Sequence, residues 1–324
     1  MRTDVLRVLL TNDDGIRADG LRVLAEHLAA HSSVLVVAPD RPNSATSHSI
    51  TLHKPLRLDE EPGLAAAPSG PGSLNAYSCS GTPSDCVMLG ALQVAANAPP
   101  HLVISGMNDG MNVAQDLTYS GTVGGALEGA VLGIPSMSVS LVGTASMSFA
   151  DAAAVVDLLL SLLLFNRLFP WHDSLAGRLR HRVDDQAHPL RWAVPQVDAG
   201  SGEEHYPEDG HALEQQLGTA PCFNVNIPDV PLDQLRGLAW TRAGRREYSD
   251  IVKRTLDPRG RPYYWIAGEK LLDDEEPGTD VHAIKHGLVS VTPITYDLTS
   301  VSDLARLVAG RGNALHAGQV RSPE

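Results

Sequence analysis

The chain has 324 residues, 43% hydrophobic and 19% charged, with a formal net charge of −13. This is ordinary globular composition, long enough for one large α/β domain or two smaller ones. So acidic a balance argues against binding a nucleic-acid duplex, which needs clustered Lys and Arg. It still allows a small anion held by a metal or by helix N-termini. Three cysteines, Cys79, Cys86 and Cys222, with no Cys-x-x-Cys spacing argue against a disulfide framework and a zinc site.

The first element is a short apolar run, Val8-Leu9-Leu10-Thr11, that stops in Asn12-Asp13-Asp14-Gly15. Such a run bounded by turn residues reads as a buried parallel strand. Asp13 and Asp14 then fall at its carboxyl end, the edge where open α/β sheets bind ligands. Two adjacent carboxylates repel unless a cation or proton lies between them. Leu21 to Ala30 follows as a helix, with His27 and His31 one turn apart on what is expected to be a solvated face. Val34 to Pro39 is a second buried strand, ending in Asp40-Arg41-Pro42-Asn43-Ser44-Ala45-Thr46-Ser47. Strand, helix, strand at this spacing is a βαβ unit and implies a parallel sheet.

Asp59 to Asn75, rich in Pro, Gly, Ala and Ser, is expected to be a surface loop or a flexible hairpin tip. Gly81 to Asp85 opens a helix, with Ser84 or Asp85 as its cap. A third strand, Leu102 to Ser105, ends in Gly106-Met107-Asn108-Asp109-Gly110. Tyr119-Ser120-Gly121-Thr122-Val123 then leads into a helix of small residues, Gly124 to Leu132. Met137 to Leu141 is a fourth strand. Ala150 to Leu164 is an apolar helix, too short to span a bilayer and carrying Asp157.

Periodicity fades over 166–220, which is expected to be an inserted excursion in a domain built from 1–165 and 221–310. Phe223 to Pro228 restores order, followed by a basic stretch and an aromatic strand, Tyr263-Tyr264-Trp265-Ile266. Gly278-Thr279-Asp280 starts a short helix with His282 and His286 on an exposed face, and Gly287 to Pro293 is a last strand. The tail, 311–324, is expected to be disordered. The N-terminus enters a strand with no signal-peptide layout, so a soluble cytoplasmic protein is expected, with no membrane partner.

Three polar strand ends thus converge on one sheet edge. They offer Asp13 and Asp14, then Asn43, Ser44 and Ser47, then Ser105 and Asn108. All are oxygen donors, a set that suits Mg²⁺ or Mn²⁺, or Ca²⁺, rather than zinc. Ser120-Gly121-Thr122 has two readings: it binds a phosphate at a positive helix end, or it caps the helix.

Read together, these motifs resemble the SurE nucleotidases. The likeness lies in Leu10 to Gly15, Ala38 to Ser47, Ser105 to Asn108, Tyr119 to Thr122, Asn224 to Pro228 and Ser290 to Pro293, in the family's order. The resemblance implies a Rossmann-like three-layer α/β fold with a mostly parallel sheet. It adds a C-terminal β-hairpin and helix extension used to build a homodimer or homotetramer. It implies a metal-dependent phosphatase of nucleoside monophosphates, with 3′-nucleotides and polyphosphate as alternative substrates beside the 5′-nucleotides. One divalent ion per subunit would be held by Asp13, Asp14, Ser44 and Asn108. Asp13, Asn108 and Ser105 would be catalytic, and Asn12, Asn43, Ser47, Gly106, Ser120, Gly121 and Thr122 would bind substrate phosphate. The chain departs from the family at Ala45, where a glycine is usual after the ligand serine. Two rival readings are a phospho-aspartate phosphatase acting through Asp13 and a receiver-type signalling domain, which also has an acidic pair after its first strand.

Overall fold

A computed structural model of the chain describes residues 5–64, 72–165, 220–249, 251–267, 270–273 and 276–300. The excursion expected over 166–220, apart from its last residue, and the tail 311–324 lie outside the described residues. Residues through Ile294 form one unit. From Thr295 onward is a second, in which Thr295 Oγ1 accepts from Asp297 N–H and Asp297 Oδ1 from Thr299 N–H.

The aliphatic runs at the centre pair side by side, which buries their side chains and satisfies their backbone polar groups. With the flanking strands they form a nine-stranded sheet in the order β3 (Leu58–Glu60), β4 (Ser73–Cys79), β2 (Ser33–Pro39), β1 (Arg7–Thr11), β5 (Leu102–Asp109), β6 (Ser136–Leu141), β7 (Cys222–Ile227), β13 (Val289–Ile294) and β8 (Leu238–Trp240). From β4 to β7 every neighbour is parallel. β3 and β13 are antiparallel to β4 and β7, and β8 runs parallel to β13. Two antiparallel pairs stand outside this sheet: β9 (Arg246–Tyr248) with β12 (Lys270–Asp273), and β10 (Ile251–Leu256) with β11 (Pro262–Ala267).

Alternation along each strand sends side chains to two helical layers. Val8 and Leu10 pack in the cluster that holds Leu21, Leu24 and Leu28 of α1 (Asp19–Ala29) and Val155, Val156 and Leu159 of α4 (Phe149–Phe165). Leu9 and Val103 point the other way, to Cys86 and Val87 of α2 (Pro83–Leu89). Each such aliphatic side chain contributes about 1.5–3 kcal/mol on burial. α3 (Gly121–Val131) lies on the α2 side and can do so because of a glycine every four residues. A Cβ on Gly125 would meet Ser105 Oγ at 2.8 Å, and one on Gly129 would meet Ser136 Oγ at 2.3 Å and Val103 Cβ at 2.8 Å. This stripe seats the helix close against β5 and β6.

The sequence-based expectations need four corrections. The region read as a surface loop or hairpin tip from Asp59 to Asn75 joins an antiparallel pair, but its bounds are too wide, because strand occupies both ends, β3 and β4; residues 65–71 of it are not described. β4 alternates Leu74 and Ala76, both buried, with exposed Asn75 and half-buried Tyr77. The cap of α2 is Thr82, not Ser84 or Asp85: Thr82 Oγ1 accepts Asp85 N–H, and Asp85 returns the bond to Thr82 N–H. α3 begins at Gly121, three residues earlier than expected. His27 and His31 do not lie on a solvated face. They flank Asp157 of α4, His31 Nε2 at 2.9 Å and His27 Nε2 at 3.7 Å. Burial would push the Asp157 carboxyl up, but the two imidazoles outweigh it and hold the carboxyl well below its ordinary value. His282 and His286 sit on α5 (Asp280–Lys285) and its C-cap, their rings stacked 4.1 Å apart with His286 exposed.

Candidate active site

β1 delivers Asp13 and Asp14 to the carboxyl edge, and Asn12 makes the turn behind them. Its Oδ1 accepts Gly15 N–H and its Nδ2 donates to Gly15 carbonyl oxygen, each at 3.1 Å. Asn12, expected at the phosphate, therefore has both ends of its amide engaged in the turn. The two carboxylates differ in setting. Asp13 is buried, and burial raises its pKa against hydrogen bonds from Thr122 and the backbone of Gly121. Asp14 is half-buried, and its pKa is raised by burial first and by the charge of Asp13 second. Asp109, at the end of β5, also faces Asp14: its N–H favours the Asp14 charge while its carboxylate opposes it. Sequence reasoning passed over Asp109 because a strand-end acid beside a glycine looks like any turn.

The second strand end wraps over the first. Asn43 N–H donates to Asp13 carbonyl oxygen at 2.7 Å. Ser44 is exposed beside it, and no described residue takes its hydroxyl. Ser47 Oγ donates to Thr118 carbonyl oxygen at 2.6 Å, and its N–H to Tyr119 carbonyl oxygen at 3.0 Å. Ser47 is thus fastened to the segment before α3 by both groups.

The third strand runs on past Ser105 instead of stopping there, with its register shifted between Ser105 and Asn108. Gly106 occupies φ +142°, and a Cβ there would meet Val139 carbonyl oxygen at 2.3 Å. That bend turns Asn108 towards the edge, where its Nδ2 donates to Gly110 carbonyl oxygen at 2.7 Å. Ser105 is fully buried under α3, and its hydroxyl has no partner among the described residues.

α3 brings the fourth component. Ser120 is its N-cap, accepting Val123 N–H at 3.1 Å. The capping reading therefore holds for Ser120. Thr122 points into the site and donates to Asp13 Oδ1 at 2.5 Å. A Cβ on Gly121 would lie 2.9 Å from Asp13 Cβ, so this glycine is what lets the helix end reach the acid.

The segment between β5 and α3 is held from far away. Asn112 N–H donates to Asn226 Oδ1, and its carbonyl oxygen accepts from Asn224 and Asn226 Nδ2. Asn112 Nδ2 reaches Ser140 Oγ, and Ser138 Oγ reaches Asn224. Asp280 accepts Ala114 N–H at 2.9 Å and Gly244 N–H at 2.8 Å. Asp116 accepts Tyr248 hydroxyl at 2.6 Å and Arg246 Nη1 at 3.0 Å. Asn224 and Asn226 stood out as a motif, but their partner Asn112 carried no signal of its own.

These residues fit a hard divalent cation. The donors are carboxylate, hydroxyl and amide oxygens, both carboxylates are strained towards protonation, and among the described residues no Lys or Arg pairs with either. A cation is what would let both ionise in so confined a place.

The fold and site define an open α/β protein with an acidic, oxygen-donor site beside a helix N-terminus, at the carboxyl edge of a parallel sheet. The family model described as "Survival protein SurE" matches residues 8–250. Over 313 residues the chain is 38% identical to 5′-nucleotidase SurE of Moorella thermoacetica, covering 94% of this chain and 99% of that one. Over 296 residues it is 39% identical to 5′-nucleotidase SurE of Natranaerobius thermophilus, covering 91% and 94%. The crystal structure of SurE protein from Aquifex aeolicus superposes with a TM-score of 0.65 at 33% identity, covering 94% of this chain and 99% of that one. The chain belongs to the SurE family.

Proposed function

We propose that the chain hydrolyses nucleoside monophosphates to nucleoside and phosphate with the help of one divalent ion, as a 5′-nucleotidase. The observation that carries this reading is the confined pair Asp13 and Asp14, with raised pKa values and no cationic partner among the described residues. Asp13, Asp14, Ser44 and Asn108 are the proposed ligands of Mg²⁺ or Mn²⁺, with Ca²⁺ as a substitute in a crystal. When bound, the ion supplies Lewis-acid polarisation of the phosphate and a lowered pKa for water.

The protein's own groups do the rest. The N-terminal end of α3, reached through Gly121, presents the positive end of the helix dipole to the phosphate. Asn43 and the backbone near Ser47 and Gly106 line the approach, and the unpartnered Ser105 hydroxyl is a donor in reserve for a phosphoryl oxygen. Asp13 is the proposed base, through a carboxylate oxygen that the ion does not take. Burial of Asp13 beneath Thr122 and Gly121 disfavours the phospho-aspartate alternative, which needs that carboxylate free to meet phosphorus in line.

The antiparallel hairpin of β10 and β11 supports a homodimer or homotetramer. Trp265 is 61% exposed and Ile266 92%, more apolar surface than a solvated hairpin ordinarily shows. Light scattering on Ile266→Asp should show a smaller particle than wild type, and equal sizes would remove the hairpin from the interface. A cytoplasmic location is part of the same reading. The three free cysteines suit a reducing compartment, and no described helix is long and apolar enough to cross a membrane.

The test is a panel of 5′- and 3′-nucleoside monophosphates and polyphosphate, assayed with Mn²⁺, Mg²⁺ or EDTA. Metal-dependent release of phosphate from the 5′-nucleotides is expected. Release that survives EDTA would overturn the metal reading.

A further inference from the structure

The loop that carries Ser44 has an unusual backbone. Ala45 at φ +56° and Ser47 at φ +55° are both left-handed without being glycine. An L residue in that region is strained by its Cβ, so the surrounding structure has to hold both in place. A glycine at position 45 would take this conformation without that strain.

The residue that follows this turn is His48. Its Nε2 lies 2.7 Å from Glu128 Oε2 on α3, and the Glu128 side chain is only 8% exposed. One helical turn earlier, Gly124 leaves room for the loop backbone: a Cβ there would lie 2.5 Å from Ser47 carbonyl oxygen and 3.0 Å from His48 Cα. The loop is therefore pressed onto α3 at Gly124 and locked one turn further on by the imidazole and a buried carboxylate. A hydrogen bond to a largely desolvated carboxylate is of the stronger kind.

We propose that His48 and Glu128 are positioning residues that hold the left-handed turn at Ala45–Ser47, and with it Ser44, in the geometry the site needs. This rests on the reading of Ser44 as a metal ligand. Neither residue touches the substrate phosphate or the ion in this account. They act through the loop backbone, as outer-shell partners do when they orient a ligand.

The experiment compares His48→Ala, His48→Gln, the double variant His48→Ala with Ala45→Gly, and Ser44→Ala. Each is measured for Mn²⁺ affinity by calorimetry, for amide hydrogen exchange over residues 43–49 without metal, and for thermal melting. His48→Ala should weaken Mn²⁺ binding about 10–100-fold and speed exchange across the loop. His48→Gln, which keeps an N–H at similar reach, should stay near wild type. Adding Ala45→Gly should restore most of the lost affinity, because glycine holds the left-handed turn without help. A role confined to packing would lower the melting point and show no such rescue. Unchanged exchange and affinity in His48→Ala, or no rescue by Ala45→Gly in a folded protein, would overturn the proposal. If His48→Ala does not fold, Glu128→Gln is read by the same criteria. If Ser44→Ala leaves Mn²⁺ affinity unchanged, the ligand assignment fails, while loop exchange still decides the role of His48.

Discussion

Thr122 Oγ1 donates to Asp13 Oδ1 across 109 residues of sequence, at 2.5 Å. The hydroxyl is thereby committed to the acid and orients its carboxylate. Thr122→Val keeps the shape and deletes the donor. Metal affinity should fall about ten-fold, at the lower end of the range for outer-shell partners, with kcat/KM falling alongside. A loss of kcat/KM with unchanged metal affinity would instead return Thr122 to direct contact with phosphate.

Asp14→Asn should stabilise the metal-free protein. A carboxyl whose folded pKa is raised adds stability below its unfolded value, near 4, and loses it as pH climbs through the folded value. Asp13 and Asp14 are both of this kind, so at neutral pH the ionised pair weakens the apo fold. Melting of the Asp14→Asn variant and of the wild type without metal should differ most near pH 7 and converge towards about pH 4. Excess Mn²⁺ should reverse the order, since ligand at 100 times its Kd adds about 2.7 kcal/mol to the wild type. A lower apo melting point for the variant at pH 7 would contradict the reading.

Asp157 behaves in the opposite sense. Its folded pKa is depressed by His27 and His31, so its contribution is present above the unfolded value and lost as pH falls through the folded one. His31→Ala leaves the carboxylate of α4 without its nearer partner. The expected cost is about 1–3 kcal/mol at neutral pH, shrinking under acid, with activity per folded molecule unchanged. Urea unfolding at several pH values measures it.

Gly125→Ala puts a methyl where Ser105 Oγ stands at 2.8 Å and Thr11 Cγ2 at 3.1 Å. Overpacking of this kind costs about 1–3 kcal/mol. Because α3 also carries Gly121 and Thr122 to Asp13, the helix should lift at its site end too. Denaturant unfolding and Mn²⁺ titration should both register the change, and loss of stability without loss of affinity would separate the two.

The centre of the fold was legible because β1 and β2 are runs of aliphatic residues, as strands under two helical layers must be, and because β6 and β7 alternate aliphatic residues with serine or asparagine at the period of a strand. β4 was not, because Leu74-Asn75-Ala76-Tyr77 mixes burial with exposure and follows a stretch of Gly, Pro and Ser. β8, three residues long, has too little pattern to read. At the site, the residue types were legible but their partners were not. Asp13 and Asp14 announce themselves as an adjacent pair, whereas Thr122 as their donor, Asn112 as the hub for two asparagines, and Asp157 between two histidines are set by tertiary contact. The left-handed backbone at Ala45 and Ser47 had no signal in the sequence, since neither residue is a glycine.

The grip of Asp280 on Ala114 has a bearing on how the protein is made. The two residues are 166 positions apart, and the segment between β5 and α3, held also by Asn224, Asn226, Arg246 and Tyr248, does not gain its last anchor until Asp280 has left the ribosome. At roughly 5–20 residues per second, β1, β2 and β5 can have emerged and paired some ten to thirty seconds before that. For this interval the nascent chain carries its acidic pair on a formed sheet edge, with the rim of the site still open. The rim of the site is therefore completed late in biosynthesis, long after the residues it surrounds.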